Sequence, residues 1–150
     1  MLLLSNKGGT IMKRYFVYGT LMSGMKRNTT MQFYASYVCD EKIYGYKMYD
    51  YVPPYGDEDN YPVIIFTGNE DDVVVGEIWE SDIDDLDRVL DVIEGAPYLY
   101  TRESVFTDMG DATVYVGSNM WMGVLDKYPM VMEYPSGVKW KGRSFILGDE

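Results

Sequence analysis

The stretch Leu90-Asp91-Val92-Ile93-Glu94-Gly95-Ala96-Pro97-Tyr98-Leu99-Tyr100-Thr101-Arg102 puts one carboxylate, Glu94, at a corner where an amphipathic helix gives way to a strand. The chain has no histidine, which removes the Ser/His/Asp and Cys/His nucleophilic arrangements and every His-ligated metal site. Acid–base chemistry near neutral pH therefore falls to a carboxylate, a tyrosine, a lysine or the single cysteine, Cys39. On a helix advancing about 100° per residue, Glu94 lies within roughly 20° of Ile83 and one turn beyond Leu90. It borders the apolar stripe, while Asp85, Arg88 and Asp91 face away. A carboxylate beside apolar side chains has its charged form disfavoured and its pKa raised, the condition a general base and acid needs near pH 7. The same geometry admits an exposed glutamate in a last helical turn.

A second arrangement lies near the start. Gly19-Thr20-Leu21 follows the compact run Tyr15-Phe16-Val17-Tyr18 and offers successive backbone N–H groups in a turn. Such a turn can bind a carboxylate or oxyanion, and glycine lets the ligand come close; an ordinary loop is the alternative. The Gly-x-x-x-x-Gly-Lys-Ser/Thr pattern of a phosphate loop is missing. Arg102 is a candidate for pairing with a substrate carboxylate or for a structural ion pair, and Tyr115 for the pocket or the core. Asp57-Glu58-Asp59 and Glu70-Asp71-Asp72 lack calcium-loop spacing and read as solvated turns. Cys39 has no neighbour that would make it a thiolate and reads as a small buried residue.

The elements that must position these groups follow from pattern. Tyr15 to Tyr18 reads as a buried first strand, and residues 25–36 as a short helix or turn. Tyr37 to Cys39 and Ile43 to Tyr49 read as strands, the second alternating around Gly45, which suggests a bulge or a close backbone approach. Val52 to Asn60, with Pro53-Pro54 and Gly56, reads as a surface loop. Tyr61 to Phe66 and Val73 to Glu80 read as strands joined in a hairpin across the acidic turn Thr67 to Asp72. Ser81 to Glu94 reads as a helix with Ser81 as N-cap, Asp84 completing a capping box, and an apolar stripe of Ile83, Leu86, Val89, Leu90 and Ile93. Gly95 suits the C′ position and Pro97 prevents continuation. Tyr98 to Thr107 and Ala112 to Val116 read as further strands. From Gly117 on, no clean period appears, and one short helix or strand is expected near Trp140. Strands, one helix, then more strands indicate an α+β domain with a curved or barrel-like sheet.

Composition sets the class. A chain of 150 residues fits one domain; residues 13–150 are expected to form it, with residues 1–12 a loosely ordered leader that makes a poor signal peptide. No apolar run approaches the ~20 residues of a membrane span. The net charge of −11 repels phosphate backbones and anionic membranes, so neither nucleic acid nor membrane is an expected partner. One cysteine cannot form an internal disulfide, which is compatible with a cytoplasmic location. The 15 tyrosines suit strands and pocket edges with wet hydroxyl tips.

Tyr18-Gly19-Thr20-Leu21 after an N-terminal strand, then Gly76-Glu77-Ile78-Trp79-Glu80, Leu90-Asp91-x-x-Glu94-Gly95 and Tyr100-Thr101-Arg102, in this order and spacing, resemble the gamma-glutamylcyclotransferase-like superfamily. Glu94-Gly95-x-Pro97 followed by Tyr100-x-Arg102 is most similar to its gamma-glutamylamine cyclotransferase branch. The resemblance covers about residues 14–116; the chain after Gly117 matches the family pattern poorly. It implies a small mixed β-barrel with flanking helices, a pocket at one barrel mouth, and neither metal nor cofactor. It further implies Glu94 as the catalytic glutamate, the Tyr18-to-Leu21 turn as the holder of the substrate's glutamyl end, and Tyr100 as pocket lining. The chemistry implied is intramolecular: the α-amine of a gamma-glutamyl group attacks its own side-chain carbonyl, releasing an amine and 5-oxoproline. One carboxylate can take the proton from the attacking group and return it to the leaving amine, and five-membered ring closure already benefits from proximity. The expected partner is a small gamma-glutamyl compound, and the expected assembly a monomer or homodimer. The alternatives are a non-catalytic ligand-binding or interaction module that retains the fold, and amide chemistry on a larger substrate.

Overall fold

The computed structural model describes residues 6–7, 10–51, 60–123 and 131–141. The strands among them are β1 (Asn6–Lys7), β2 (Thr10–Ile11), β3 (Lys13–Val17), β4 (Ser36–Tyr44), β5 (Tyr46–Tyr51), β6 (Tyr61–Phe66), β7 (Val73–Ser81), β8 (Tyr100–Thr107), β9 (Gly110–Gly117) and β10 (Val131–Glu133). Helix α1 (Asn28–Tyr34) precedes β4, α2 (Leu86–Glu94) joins β7 to β8, and a 3-10 turn spans Asn119–Gly123. β1 and β2 pair with each other, and Met12 beyond them is buried. The expected surface loop and Asp57-Glu58-Asp59 lie, but for Asn60, outside the described residues.

β3 is the middle of a five-stranded sheet in the order β4-β7-β3-β9-β8. It runs antiparallel to β7 and parallel to β9, with Tyr15 opposite both Trp79 and Thr113. Tyr15, Phe16 and Val17 are all buried, which is why this strand reads as a continuous apolar run and not as an alternation. A three-stranded antiparallel sheet, β10-β5-β6, lies against the first, β6 along β9 and β5 along β7. Phe16, Met48, Val63, Ile64, Ile78 and Val114 belong to one buried core cluster. The fold is thus α+β and sheet-dominated, but neither sheet closes on itself, so the expected barrel is one only loosely.

Three local expectations give way to tertiary contacts. β6 and β7 do not form a hairpin: β6 pairs with β5, and β7 pairs with β3 and β4. The run Ile43 to Tyr49 is two strands, because Gly45 at φ 89° turns the chain between β4 and β5. The helix starts at Leu86, after Asp85, with no side-chain cap. Ser81 ends β7 instead, where its hydroxyl donates to the Tyr34 carbonyl at 2.6 Å and accepts the Ile83 N–H at 3.0 Å. That double bond pattern anchors α1's end to β7 and leaves Ile83 partly exposed, outside the stripe. Cys39 is only partly buried, and the late strand is β10, not a segment at Trp140.

α2 has two buried sides. Leu86 and Leu90 are fully enclosed, as the apolar stripe requires. Of the residues expected to face away, Asp85 and Arg88 are exposed and pair with each other at 2.7 Å, but Asp91 is tied to the large sheet, as is Asp87, which accepts hydrogen bonds from Tyr15 at 2.7 Å, from Arg102 at 2.6 Å and from Lys13. Asp91 accepts one from Tyr115 at 2.5 Å and pairs with Arg102 at 3.2 Å. Burial works against the charged form of Asp87, but the bonds from Lys13 and Tyr15 and the charges of Lys13 and Arg102 outweigh it and hold the carboxyl below the ordinary range. A depressed carboxyl pKa contributes stability above the unfolded-state value and loses it as pH falls through the folded-state value. Asp87→Asn is therefore expected to cost about 2 kcal/mol in urea unfolding at pH 7, with the gap to wild type closing below about pH 4.

Candidate active site

The site begins where β3 ends. Val17 sits opposite Glu77 of β7, and the chain then turns through Tyr18 to Leu21. The carbonyls of its last three residues are engaged inside the protein: Gly19 accepts the Met22 N–H at 3.0 Å, Thr20 the Arg27 N–H at 2.8 Å, and Leu21 the Asn28 side-chain amide at 2.8 Å. Among the described residues, no group accepts a hydrogen bond from the N–H of Gly19, Thr20 or Leu21. A run of unpaired N–H groups with its carbonyls turned elsewhere is a local positive pole suited to an anion. Glycine is required at 19 for a second reason. A Cβ there would lie 2.6 Å from Cγ of Pro62, so a side chain would drive the turn off β6.

Glu94 approaches from the other side. It is the last residue of α2, which stops because Gly95 adopts φ 66° and the Ala96 N–H closes onto the Asp91 carbonyl at 2.9 Å. Both the turn and Glu94 line one cavity of about 440 Å³. Glu94 is partly open to that cavity but densely surrounded by protein, and among the described residues it has no hydrogen-bond or ion-pair partner. Burial raises its pKa to about 7, with the Arg27 charge offsetting part of the effect. The negative end of α2 acts in the same direction as burial.

The tyrosines of the wall are occupied. Tyr18 donates to the Tyr115 carbonyl at 2.5 Å and Tyr100 to the Pro62 carbonyl at 2.7 Å. Burial, with the Glu94 charge adding to it in both, holds both phenols well above their ordinary pKa, so they stay protonated. Tyr115 also lines the cavity, and its hydroxyl donates to Asp91 at 2.5 Å. Glu94 is thus the group in this wall that exchanges a proton near neutral pH.

Tyr18, Gly19, Thr20, Leu21, Glu94, Tyr100 and Tyr115 all line this cavity. Arg102 does not; it is held by Asp87 and Asp91 on the other side of α2. The cavity also includes residues that no sequence pattern singled out. Exposed Lys26 and Arg27 lie at its edge, and Asn60 and Pro62 come from the start of β6. Asn60 donates to Asp50 at 2.7 Å, and Asp50 also receives the Trp140 ring N–H at 2.9 Å. The proline at the head of a strand was the available signal, since its missing N–H confines it to a strand start or edge. Among the described residues, no three Cys, Asp or Glu side chains come together as a metal ion would need.

The raised pKa of Glu94 has a sign that can be measured. A buried carboxyl that prefers its proton costs nothing below the unfolded-state value and its full penalty above the folded-state value near 7. Glu94→Gln removes that penalty. It is expected to stabilise the protein by up to roughly 3 kcal/mol at pH 8, with the gain vanishing by about pH 4, as read by thermal or urea unfolding at the two pH values.

The fold and chain order have known counterparts. The structure is similar to an AIG2-like protein from mouse, with a TM-score of 0.61 at 20% identity over 87% of this chain and 88% of that one. A structure described as gamma-glutamyl cyclotransferase matches with a TM-score of 0.54 at 18% identity, over 83% of this chain and 72% of that one. Allophanate hydrolase from Kluyveromyces lactis contains the same fold within a much longer chain, with a TM-score of 0.59 at 19% identity over 81% of this chain and 19% of that one. At such identities these likenesses speak to the fold alone. No curated protein matches the chain in sequence. The family model described as gamma-glutamyl cyclotransferase, AIG2-like, matches residues 15–142, and the chain belongs to that family.

Proposed function

We propose that the protein is a cyclotransferase acting on a gamma-glutamyl amine or related gamma-glutamyl amide, with Glu94 as general base and then general acid and without a metal ion. The observation that carries this reading is the placement of an unpartnered carboxylate, titrating near 7, in the same cavity as the unpaired N–H groups of Gly19, Thr20 and Leu21. A site that only bound the α-ammonium would be served best by a carboxylate kept ionised, whereas burial leaves Glu94 near 7, where it can take up a proton and return it.

In this mechanism the turn holds the substrate's α-carboxylate, and the walls of Tyr18, Tyr100 and Tyr115 keep the chain folded. Glu94 takes a proton from the α-ammonium group. The freed amine attacks the γ-carbonyl carbon, forming the new C–N bond and a tetrahedral oxyanion. Collapse of that intermediate breaks the original amide C–N bond as Glu94 returns its proton to the departing nitrogen, and the ring nitrogen gives up its second proton, which the released amine takes up to leave as an ammonium ion. The products are 5-oxoproline and an amine, and Glu94 ends as it began. Holding the reacting atoms together supplies much of the rate, since proximity is worth several kcal/mol in ring closure.

The test is to incubate the protein with gamma-glutamyl-lysine, gamma-glutamyl dipeptides and glutathione, and to measure 5-oxoproline. Turnover of at least one compound is expected, with Glu94→Gln slower by roughly 10²–10⁴-fold. kcat/KM should rise as pH passes through about 7, where Glu94 becomes the base form. Binding without turnover would favour the ligand-binding module, and normal turnover by Glu94→Gln would remove Glu94 from its role.

Gly19→Ala tests the other half of the site. Its new Cβ would meet Pro62 at 2.6 Å, and the turn must move. A drop in kcat/KM of roughly 10-fold or more is expected, because small displacements of positioning groups are costly; an unchanged value would separate the turn from catalysis.

A further inference from the structure

Behind the turn lies a carboxylate that the proposed reaction does not use. Glu77, on β7 opposite Val17, is only 2% exposed. One of its oxygens, Oε1, accepts three hydrogen bonds: from the Ser23 N–H at 2.8 Å, the Trp79 ring N–H at 3.0 Å and the Ser23 hydroxyl at 3.2 Å. The other, Oε2, pairs with Lys139 at 3.1 Å. Lys139 comes from the C-terminal segment, which the Tyr134 N–H fixes to Met48 and the Gly137 N–H fixes to Val73. A carboxylate this buried is retained only with its charge paired and its lone pairs satisfied, and both conditions are met.

From these contacts we infer that Glu77 is a positioning residue for the anion-binding turn, acting through the Ser23 N–H. The inference rests on the proposed role of Gly19, Thr20 and Leu21 in holding a carboxylate. An anion site made of backbone donors has no side chain to adjust, so its affinity depends on how firmly the backbone is held. The carbonyls of the turn are tied to Met22, Arg27 and Asn28, all within the loop and α1. The Glu77–Ser23 bond ties it to the sheet. It is a charge-assisted bond, stronger than a neutral one, and it lies two residues beyond Leu21. Lys139, which also pairs with Asp40 at 3.4 Å, offsets part of the negative charge behind a carboxylate held by the turn.

The turn geometry supplies a clean variant. The Met25 N–H bonds to the Met22 carbonyl at 3.0 Å, with Ser23 and Gly24 in the centre and Gly24 at φ 79°. Those are the demands of a type II turn, and its closing bond does not use the Ser23 N–H. Replacing the Met22–Ser23 amide by an ester, through incorporation of an α-hydroxy acid at position 23, therefore deletes the N–H that Glu77 accepts without adding an atom. Glu77→Gln removes the charge while keeping the shape.

Binding of 5-oxoproline and of 2-pyrrolidone, the same ring without its carboxylate, is measured by NMR titration for wild type and both variants, alongside the melting temperature. In both variants the Kd for 5-oxoproline is expected to rise at least tenfold and that for 2-pyrrolidone less than twofold, with both variants still melting cooperatively. A folded variant that binds 5-oxoproline as wild type does overturns the inference, as does equal weakening of both ligands, which would place Glu77's effect on the whole cavity. If Glu77→Gln does not fold, the ester variant decides alone. Should wild type itself not prefer 5-oxoproline over 2-pyrrolidone, the carboxylate-holding role of the turn fails first, a result distinct from a failure of Glu77.

Discussion

The position of β3 is the constraint on which the remainder depends. This short strand is hydrogen-bonded on both edges, antiparallel to β7 and parallel to β9, and its last three side chains are buried. Its end point is therefore fixed in all three directions. The turn that follows inherits that position, and Glu77 meets it because Val17 and Glu77 are register partners. α2 is referenced to the same strand, since Asp87 takes the Tyr15 hydroxyl. Both halves of the cavity are thus measured from one strand, which is how residues far apart in sequence hold a constant spacing.

Three buried or half-buried carboxylates show how environment sets role. Asp50 is fully buried and receives the Asn60 and Trp140 donors; burial raises its pKa and those bonds lower it. Glu77 is buried, ion-paired and hydrogen-bonded. Glu94 alone of the three has no partner among the described residues, and burial is left free to raise its pKa to about 7. The residue type is nearly constant; the number of donors pointed at it differs.

The legible parts of the sequence were those governed by local rules. Leu86 and Leu90 revealed the buried side of α2 through their period, Gly95 marked its end, and Tyr15 to Val17 announced a strand covered on both sides. Glu94 and the turn could be named, but helical geometry left Glu94 between exposure and burial, and only the resemblance joined the two. What stayed hidden depends on contacts between distant segments. Ser81 has the chemistry of an N-cap yet spends its hydroxyl on Tyr34. Asp91 looks solvent-facing on a helical wheel, but Tyr115 reaches it from β9. The hairpin expected between β6 and β7 is replaced by pairings with β5 and β3, because an acidic turn between two apolar strands does not require them to pair. Lys139 and Asn60 carry no local signal at all.

The tyrosines of the cavity wall have one more consequence. The Tyr18 and Tyr100 hydroxyls donate to carbonyls, and the Tyr115 hydroxyl donates to Asp91. None of these hydroxyls is hydrogen-bonded to Glu94, and no other described side chain is either. Glu94 therefore ends no hydrogen-bonded chain of described side chains. The cavity that Glu94 lines, and its own partial exposure to it, give a proton its path to and from the carboxylate.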